Sequence, residues 1–339
     1  MTFKPHFIDT PLSELSYYQT GGNTLGVIAP RSTNEVKDSL EWILSRRKPY
    51  FVLGGGTNSL VSDEDWDGYV ISFHLMNSLK VDVSREIIEV EAGVVNTDLA
   101  VKAYGSSLGD ISWMNRLPGQ MGGTVRMNAR CYGGEISQVV TSVTVVTKTA
   151  EIKTYTNPEA IFHGYKDTLF MTNGDLICEA VLSLKKVDEH GLSKIKEKMD
   201  FCESDRISKG QFEYPTCGCI FKNNYDPKVS VSSGLMLERS GLKEKRLGGA
   251  QVTKGHANFV YNIEATSSDI LDLSFLMREE VYKKFGVWLE YEMELLGVLS
   301  EEQKSVISRS KELSNEPNKK EALMALRAEF QKMINKKTT

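Results

Sequence analysis

Apolar residues in the first part of the chain recur at spacings that predict both helices and strands. Residues 32–47 predict a helix, because its apolar side chains follow helical spacing and Ser32 with Glu35 forms a capping box. Its inward face consists of Val36, Leu40, Ile43 and Leu44. An apolar strand from Tyr50 to Leu53 then runs into a glycine-rich loop, and a further strand spans Tyr69 to Phe73. A Rossmann unit would place a helix directly after the glycines, and residues 60–67 make a poor helix.

The middle of the chain continues this mixture of helix and strand patterns. Residues 86–93 alternate as a strand, and a helix is predicted from about Asn96 to Ser106. A second glycine-rich turn follows at residues 117–124. The remaining segments are a hairpin over 138–146 and 151–155 and a strand over 176–185. This mixture favours an α+β fold over a doubly wound parallel sheet.

A polar stretch over residues 186–209, with a charged helical segment at 189–201, separates this part from a later one. The later part contains a strong helix after Thr266 that Gly286 closes. Its inward residues are Ile270, Leu273, Met277 and Val281. A strand is predicted over 287–296. Period-two alternation places Glu290, Glu292 and Glu294 on one face of it.

The last forty residues differ in character from the rest. Residues 300–318 are polar, and residues 319–337 predict an amphipathic helix. Its apolar side consists of Leu323, Leu326, Phe330 and Met333. Packing against its own domain is the ordinary explanation for such a helix, and binding of a partner is the alternative.

Composition narrows the class of protein. The 339 residues suggest two or three domains, and 40% hydrophobic residues with 25% charged residues are typical of a soluble globular chain. The formal net charge of -4 gives no basis for a nucleic-acid or membrane-surface partner. The first twenty residues contain no apolar run, so we expect no secretory signal. No stretch approaches the roughly 18 apolar residues of a membrane span, so we expect none. Five cysteines, an odd number, favour a reducing, cytoplasmic compartment without a disulfide framework.

Four segments, in order over about residues 15 to 297, carry a family resemblance. They are Val52–Asp63 (VLGGGTNSLVSD), residues 117–135 (LPGQMGGTVRMNARCYGGE), Gly218–Asn223 (GCIFKN), and a fourth running from Gly248 through His256-Ala257-Asn258-Phe259 to Leu289-Glu290-Tyr291-Glu292. Together they resemble UDP-N-acetylenolpyruvoylglucosamine reductase, the MurB family of peptidoglycan precursor synthesis. The tail after Gly297 lies outside the resemblance.

The resemblance implies an α+β fold with two FAD-binding subdomains, similar to the vanillyl-alcohol oxidase fold, plus a C-terminal α+β substrate domain. On this basis we expect FAD-binding subdomains at 1–75 and 76–205, a substrate domain at 206–298 and a helical extension at 299–339. The implied activity is NADPH-dependent reduction of UDP-N-acetylglucosamine enolpyruvate to UDP-N-acetylmuramate, with FAD as the cofactor. The oligomeric state stays open, a monomer included.

Both glycine-rich segments are expected to hold FAD. Glycines let main-chain amides approach a phosphate without an intervening side chain, although a tight connection between strands is the simpler explanation for one such loop. The expected cofactor residues are Gly54, Gly55, Gly56, Thr57, Asn58 and Ser59 in the first segment, and Gly119, Gly122, Gly123, Thr124, Met127 and Asn128 in the second.

Cys219 stands where the family usually has a serine that donates a proton. A thiol with a pKa near 8.5 is mostly protonated at pH 7 and is a stronger acid than an alcohol. We therefore expect Cys219 to be the proton donor, with a small buried cysteine in a serine's space as the alternative. Cys217 is expected on the opposite face of a strand, not in a disulfide with Cys219.

Two further residues are expected to be catalytic. Glu292 matches the family's catalytic glutamate, whereas without the resemblance three alternating glutamates would indicate a solvated face. Lys166 stands where the family motif usually has arginine, so it keeps the positive charge and loses the planar fork. Arg126 or Arg130 is the alternative source of that function.

Lys222, Asn223 and His256 match positions expected to contact the nucleotide sugar. A metal site at His256 is not expected, because five histidines form no cluster with ligand spacing. Two other functions remain open. One is a different flavoenzyme on the same scaffold, an oxidase or a reductase of another enol ether. The other is a non-catalytic flavin-binding protein whose C-terminal helix binds a partner.

Overall fold

The computed structural model describes residues 3–226 and 229–301, together with Gln303, Lys304, Ile307, Glu321, Met324, Ala325 and Ala328. Side chains are not described for residues 224–230. The apolar side chains of the helix predicted over 319–337 lie outside the described residues. In the described part of the chain, no helix is both long and apolar enough to cross a membrane.

Helices and strands are interspersed over the described residues. The helices are α1 (Leu12–Leu15), α2 (Thr33–Ser45), α3 (Asn96–Gly105), α4 (Met121–Arg126), α5 (Pro158–Ile161), α6 (Glu189–Ser208), α7 (Ser233–Arg239) and α8 (Ser267–Phe285). The strands up to residue 135 are β1 (Phe7–Ile8), β2 (Thr24–Ile28), β3 (Tyr50–Val52), β4 (Ser59–Val61), β5 (Trp66–Ile71), β6 (Leu79–Asp82), β7 (Ile87–Glu91), β8 (Leu108–Gly109), β9 (Arg130–Cys131) and β10 (Gly134–Glu135). The later strands are β11 (Val140–Val146), β12 (Ile152–Tyr155), β13 (Phe162–Gly164), β14 (Asp167–Thr168), β15 (Leu176–Ser183), β16 (Lys185–Lys186), β17 (Asn224–Asp226), β18 (Val229–Val231), β19 (Arg246–Leu247), β20 (Ala250–Val252), β21 (Val260–Asn262) and β22 (Glu294–Leu296).

Residue contacts divide the chain into two units. The first contains residues 1–16, 23–57 and 66–207, and the second contains residues 17–22, 58–65 and 208–339. Two short N-terminal pieces thus belong with the C-terminal unit. The helix predicted over 189–201 extends to Ser208 and so reaches past the end of the first unit.

The two largest sheets of the described residues lie in the first unit. One has the order β1-β2-β5-β3, with β5 parallel to both β2 and β3. The other is antiparallel with the order β12-β11-β15-β7-β6, and the predicted hairpin is its β11–β12 pair. Helix α2 buries Val36, Leu40 and Ile43 in the core, as its spacing predicts. The prediction that Leu44 also faces inward is wrong, because this side chain near the end of the helix is 44% exposed. The Ser32 side chain accepts from the Glu35 N–H at 3.2 Å, whereas the Glu35 carboxylate accepts from the Arg31 N–H, so only half of the predicted capping box forms.

The second unit is built around α8. Thr266 and Asp269 form a capping box at its start, and Gly286 ends it in the left-handed conformation at φ 64°. All four predicted inward residues of α8 are fully buried in the core of this unit. An antiparallel sheet, β19-β20-β21, contacts the helix, and the parallel pair β22–β4 joins residues 294–296 to residues 59–61.

The continuous strand predicted over 287–296 is wrong. Only Glu294–Leu296 forms a strand, and Tyr291 makes an isolated bridge to Phe221. Val287, Trp288 and Leu289 are all buried, so burial does not alternate along this segment. This segment packs against helix α8 on one side and against the irregular loop around Phe221 on the other, so in the described part of the chain it has no straight partner strand along its length.

Candidate active site

The first glycine-rich loop follows β3 and packs against the second glycine-rich segment. A Cβ atom on Gly55 would lie 3.3 Å from the Gly119 Cα atom. Gly119 has a φ of 114°, and a Cβ atom there would lie 2.6 Å from the Thr57 hydroxyl, which itself donates to the Pro118 carbonyl at 3.3 Å. The structure therefore brings together the two segments that the sequence singles out, at a separation that excludes side chains.

Unpaired main-chain donors line the first loop. Over residues 3–226 and 229–301, the N–H groups of Gly54, Gly55, Gly56 and Thr57 have no protein acceptor. Gly56 adopts the left-handed conformation at φ 62°. Consecutive amides with a left-handed residue among them form a concave nest that favours an anion. The loop is thus suited to a phosphate group.

The second segment is anchored through its main chain. The N–H groups of Met121 and Gly122 donate to the carbonyls of Val94 and Ala92 at 2.9 and 2.8 Å. A Cβ atom on Gly122 would lie 3.0 Å from the Ala92 Cβ atom, whereas one on Gly123 would meet nothing within 4 Å. Gly122 is therefore needed for packing, and Gly123 leaves an open face.

Two side chains beside this segment differ in their hydrogen bonds. The Thr124 hydroxyl donates to Asn96 Oδ1 at 2.8 Å, so its donor is used within the protein. The Gln120 Oε1 atom is buried and has no partner in the described part of the chain. It would lie 3.3 Å from a Cβ atom on Gly54. Sequence reasoning did not select Gln120, because a lone glutamine within a glycine-rich turn carries no signal of its own.

Asn128 is committed to structural contacts. Its side chain is buried, and its amide donates to Glu135 Oε1 at 2.6 Å and to the Gly164 carbonyl at 2.9 Å. Its Oδ1 atom accepts from the Ser137 N–H at 3.3 Å. Both side-chain donors are therefore engaged, which favours a role in shaping the loop. Met127 lies next to it, half-buried at the end of α4.

Lys166 lies in the turn between β13 and β14. It is only 8% exposed and adopts the left-handed conformation at φ 52°. The turn is tied to the second glycine-rich segment by the Asn128–Gly164 bond and by the Thr168 hydroxyl, which donates to the Arg126 carbonyl at 2.6 Å. A buried lysine in a sparsely populated backbone region is unusual and typical of functional sites. Lys166 belongs to the first unit, whereas Cys219 and Glu292 belong to the second.

Cys219 and Glu292 lie on adjoining segments of the second unit. Cys219 makes a β-bridge to Phe259, and the Glu292 N–H donates to the carbonyl of Ile220, the residue after Cys219, at 2.8 Å. Asn58 holds the same segment, because its side-chain amide donates to the Glu292 carbonyl at 2.8 Å and its own carbonyl accepts from the Glu294 N–H at 2.8 Å. Ser59 is paired with Glu294 in the β22–β4 register.

Asn258 fixes the loop that carries Cys219. Its Oδ1 accepts from the Phe221 N–H at 3.0 Å, and its amide donates to the Phe221 carbonyl at 2.9 Å. Its main-chain carbonyl also accepts from the Ile220 N–H at 2.9 Å. Sequence reasoning used Asn258 only as part of a motif and did not select it, because a structural amide cannot be told from an exposed one without the fold.

The three residues expected to contact substrate surround this loop. The Lys222 N–H donates to the Glu290 carbonyl at 2.8 Å, and Asn223 Oδ1 accepts from the Ser233 N–H at 3.0 Å. His256 Nδ1 accepts from the Asn258 N–H at 3.3 Å, and its ring lies 4.3 Å from the Phe259 ring. The acceptor at Nδ1 places the proton of the neutral ring on Nε2. In the part of the chain that the structure describes, no cluster of three residues could hold a metal ion.

Cys217 differs from Cys219 in its surroundings. It is 4% exposed, and burial raises the pKa of its thiol well above the ordinary value, with the charges of Cys219 and Glu292 adding to the rise. Burial likewise raises the pKa of Tyr18, whose hydroxyl donates to the Val260 carbonyl at 3.0 Å. Both cysteines are free thiols. The expectation that they occupy opposite faces of a strand is wrong for two reasons. Residues two apart in a strand share a face, and Gly218 between the two cysteines is left-handed at φ 75° and interrupts any strand.

Two family models match the chain. The model described as an FAD binding domain matches residues 24–156, and the model described as the C-terminal domain of UDP-N-acetylenolpyruvoylglucosamine reductase matches residues 210–296. The second match includes Cys219, His256 and Glu292.

Curated proteins and a solved structure are similar over most of the chain. The UDP-N-acetylenolpyruvoylglucosamine reductase of Latilactobacillus sakei is 36% identical over 293 residues, which cover 86% of this chain and 93% of that protein. UDP-N-acetylenolpyruvoylglucosamine reductase 2 of Bacillus thuringiensis is 34% identical, with 85% and 92% covered. The crystal structure of the Thermus caldophilus reductase superimposes with a TM-score of 0.70 at 27% identity, with 86% of this chain and 99% of that chain covered.

Proposed function

Since this chain belongs to the UDP-N-acetylenolpyruvoylglucosamine reductase family, it is an FAD-dependent oxidoreductase of peptidoglycan precursor synthesis, and we propose which of its residues carry the reaction. Its fold is the two-subdomain FAD-binding fold with a C-terminal domain. The substrate is UDP-N-acetylglucosamine enolpyruvate and the product is UDP-N-acetylmuramate. NADPH is the proposed reductant.

The glycine-rich segments fit FAD. The unpaired N–H groups of residues 54–57 would bind its pyrophosphate, and Asn58 and Ser59 continue that loop. Gly123 leaves an open face for the flavin ring, whereas Gly119 and Gly122 let the segment pack closely against Thr57 and Ala92. The buried Gln120 Oε1 would offer the flavin an acceptor. Thr124, Met127 and Asn128 shape this wall, with Asn128 acting through the loop that its side chain fixes.

When bound, FAD would supply the hydride chemistry that links NADPH to the terminal carbon of the enol ether. The chain's own contribution is the proton and the charge. The Cys219 thiol donates its S–H proton to the carbon next to the one that accepts hydride, and the resulting thiolate takes a proton back from solvent. The atoms balance as one hydride and one proton added across the carbon–carbon double bond.

Glu292 and Lys166 supply the electrostatics of this step. The Glu292 carboxyl lies on the segment bonded to Ile220 and stabilises or protonates the enol intermediate. The Lys166 ammonium offsets the negative charge that develops on the substrate carboxylate side, for which one positive charge is sufficient. A buried lysine serves this better than an exposed one, because less solvent screens it.

Lys222, Asn223 and His256 are the proposed contacts to the nucleotide sugar. They surround the Cys219 loop. The Lys222 N–H donates to the Glu290 carbonyl, the Asn223 side chain accepts from the Ser233 N–H, and the His256 ring accepts from the Asn258 N–H. The five free thiols suit a reducing compartment, which supports a cytoplasmic location.

The observation that carries this proposal is the close approach of Gly55 to Gly119, beside the N–H groups of residues 54–57, which have no acceptor among the residues that the structure describes. Anaerobic stopped-flow absorbance at the flavin band tests it. The purified protein is reduced with NADPH and mixed with UDP-N-acetylglucosamine enolpyruvate, and rapid reoxidation of the flavin is expected. If NADPH reduces the flavin and this substrate fails to reoxidise it, the substrate assignment is wrong. If the protein holds no flavin after reconstitution, the assignment of FAD as the cofactor is wrong as well.

A further inference from the structure

Helix α8 carries a buried arginine that the mechanism above does not use. Arg278 has no exposed surface. Its guanidinium carbon lies 4.6 Å from the centre of the Trp288 ring and 4.3 Å from the centre of the Tyr291 ring. Burial lowers the pKa of Arg278, and the neighbouring Tyr291 and Glu290 oppose that shift. A buried charge is unfavourable unless specific partners hold it, so this arrangement has a structural cost that calls for a reason.

One stripe of α8 seats the segment that precedes Glu292. Ser274, Arg278 and Tyr282 recur every four residues and therefore share a face of the helix. The Ser274 and Tyr291 hydroxyls are 2.9 Å apart, and the Tyr282 ring meets the Trp288 ring edge-on at 5.5 Å. Phe275 meets Trp288 in the same manner at 6.0 Å.

The contact continues from Tyr291 to the loop of the proton donor. The rings of Tyr291 and Phe221 are stacked with their centres 5.2 Å apart and their planes at 27°. The same two residues form a β-bridge. Phe221 lies two residues after Cys219, and Tyr291 lies directly before Glu292.

A planar guanidinium can lie against an aromatic ring in a way that an aliphatic side chain cannot. Arg278 therefore restrains Tyr291 from the helix side, and Phe221 restrains it from the loop side. Tyr291 directly precedes Glu292, so a rotation of the Tyr291 segment would move Glu292. It would also strain the bond from the Glu292 N–H to the Ile220 carbonyl, which holds Glu292 against the Cys219 loop.

We propose that Arg278 is a positioning residue that sets the placement of Glu292 relative to Cys219, through its contacts with Trp288 and Tyr291. Arg278 does not itself contact the reacting atoms. The proposal rests on the function proposed above. It predicts that loss of the guanidinium impairs protonation of the sugar substrate and leaves reduction of the flavin by NADPH intact.

The test compares Arg278→Met and Arg278→Lys with the parent in both half-reactions by anaerobic stopped flow. For Arg278→Met we expect reoxidation by the sugar substrate to slow by about tenfold to a hundredfold, since displacements near 1 Å have effects of that size. Reduction by NADPH should change by less than about twofold. Arg278→Lys keeps the charge without the planar face, and its reoxidation rate should lie between those of the parent and of Arg278→Met. Lys283→Met, on the exposed side of α8, is the matched control and should behave as the parent does.

A measurement without substrate or turnover accompanies the kinetics. The rate of alkylation of Cys219 by iodoacetamide is followed by peptide mass spectrometry. The Glu292 segment is bonded to Ile220 in the Cys219 loop, so loosening this segment should open the loop and make Cys219 react faster in Arg278→Met than in the parent. Parent-like rates in both experiments would overturn the positioning role. A parent enzyme that its substrate fails to reoxidise would instead overturn the proposed function.

Ser274→Ala keeps the test decisive if Arg278→Met does not fold or does not hold flavin. This variant removes only the hydroxyl that meets Tyr291 and retains the arginine. Slower reoxidation by the sugar substrate, with unchanged reduction by NADPH, would support the proposal. Parent behaviour of Ser274→Ala together with parent behaviour of Arg278→Lys would contradict it.

Discussion

At the scale of single residues, the family's chemistry rests on two substitutions in this chain. Cysteine stands where the resemblance leads one to expect serine, and lysine where it leads one to expect arginine. Lys166 is buried in a left-handed turn, a conformation that costs free energy for a residue with a Cβ atom. That cost is consistent with a side chain kept in place for its charge. Lysine lacks the planar guanidinium fork of arginine, so Lys166 offers one point of contact where arginine would offer two.

Replacement of Cys219 by alanine should separate the two halves of the reaction. The variant keeps the glycine-rich segments and should still be reduced by NADPH. It lacks the S–H proton, so reoxidation by UDP-N-acetylglucosamine enolpyruvate should slow by about 10²- to 10⁴-fold, the range typical for loss of a general acid. Single-turnover stopped flow measures each half-reaction separately.

Two further variants control for the thiol itself. Cys219→Ser restores an O–H donor and should recover much of the lost rate. Cys217→Ser alters a buried thiol whose raised pKa keeps it protonated, and should leave the second half-reaction close to that of the parent. If Cys219→Ala turned over the sugar at the parent rate, another group would be the proton donor.

At the scale of elements, local signals predicted what is built locally. The spacing and both ends of α8 and the β11–β12 hairpin are confirmed, because each depends on residues close together in sequence. For α2 the helix and its Ser32 N-cap are confirmed, whereas half of the capping box and the inward position of Leu44 are not. The strand over 287–296 failed, because the partner of that segment is the loop after Cys219. Period-two alternation puts Trp288 on the same face as Glu290 and Glu292, yet Trp288 is buried, which the spacing could not reveal.

Placement of the two glycine-rich segments yields a prediction at this scale. Gly119→Ala introduces a side chain at φ 114°, with its Cβ atom 2.6 Å from the Thr57 hydroxyl. A left-handed residue with a Cβ atom costs about 1–2 kcal/mol before the clash is counted. We expect a lower FAD content, measured from the flavin absorbance per chain, and a lower melting temperature. Gly55→Ala, with a contact of 3.3 Å, should show a smaller loss of both.

Gly105→Ala is the matched control for these variants. This glycine ends α3, and a Cβ atom there would meet nothing within 4 Å. Alanine in a helix is favoured over glycine by about 0.5–1 kcal/mol, so stability should rise slightly and FAD content should stay unchanged. Full FAD content in Gly119→Ala would contradict the proposed role of the loop contact.

At the scale of the whole molecule, the grouping of residues 17–22 and 58–65 with the C-terminal unit could not be predicted from sequence. Strand β4 pairs with β22, more than 200 residues away, and the bonds of Asn58 to the Glu292 segment have the same long separation. Pairings of this kind depend on the folded chain and leave no local pattern. The motif around residues 54–59 was selected for its glycines alone, and its second role, in holding the Glu292 segment, appears only in the structure.

Buried thiols should give the fold a measurable dependence on alkaline pH. Cys178 is fully buried, and burial raises the pKa of its thiol to about 12. A folded pKa above the unfolded value means that the stabilisation is complete below about pH 8.5 and is lost as pH rises from there toward 12. At pH 10.5 this group alone should lower the free energy of unfolding by about 2–3 kcal/mol relative to pH 8.

Urea denaturation of the parent and of Cys178→Ala at both pH values isolates this contribution. The alanine variant should be less stable at pH 8, because it leaves a small cavity, and should lose less stability between the two pH values. An identical loss in the two proteins would show that Cys178 does not titrate with folding.

Removal of the C-terminal tail tests where the functional molecule ends. The family model stops at residue 296, and β22, the element that pairs with β4, ends at Leu296. A chain ending at Gly297 should therefore retain its flavin and both half-reactions. A chain ending at Met293 retains Glu292 but loses β22, the bond from the Ser62 N–H to the Leu296 carbonyl, and the bond from the Glu294 N–H to Asn58. It should be reoxidised slowly by the sugar substrate, because the Glu292 segment has lost the strand that follows it. Loss of flavin in the longer chain would show that residues after 297 belong to the catalytic molecule, whereas full activity in the shorter one would show that β22 is not needed to hold Glu292.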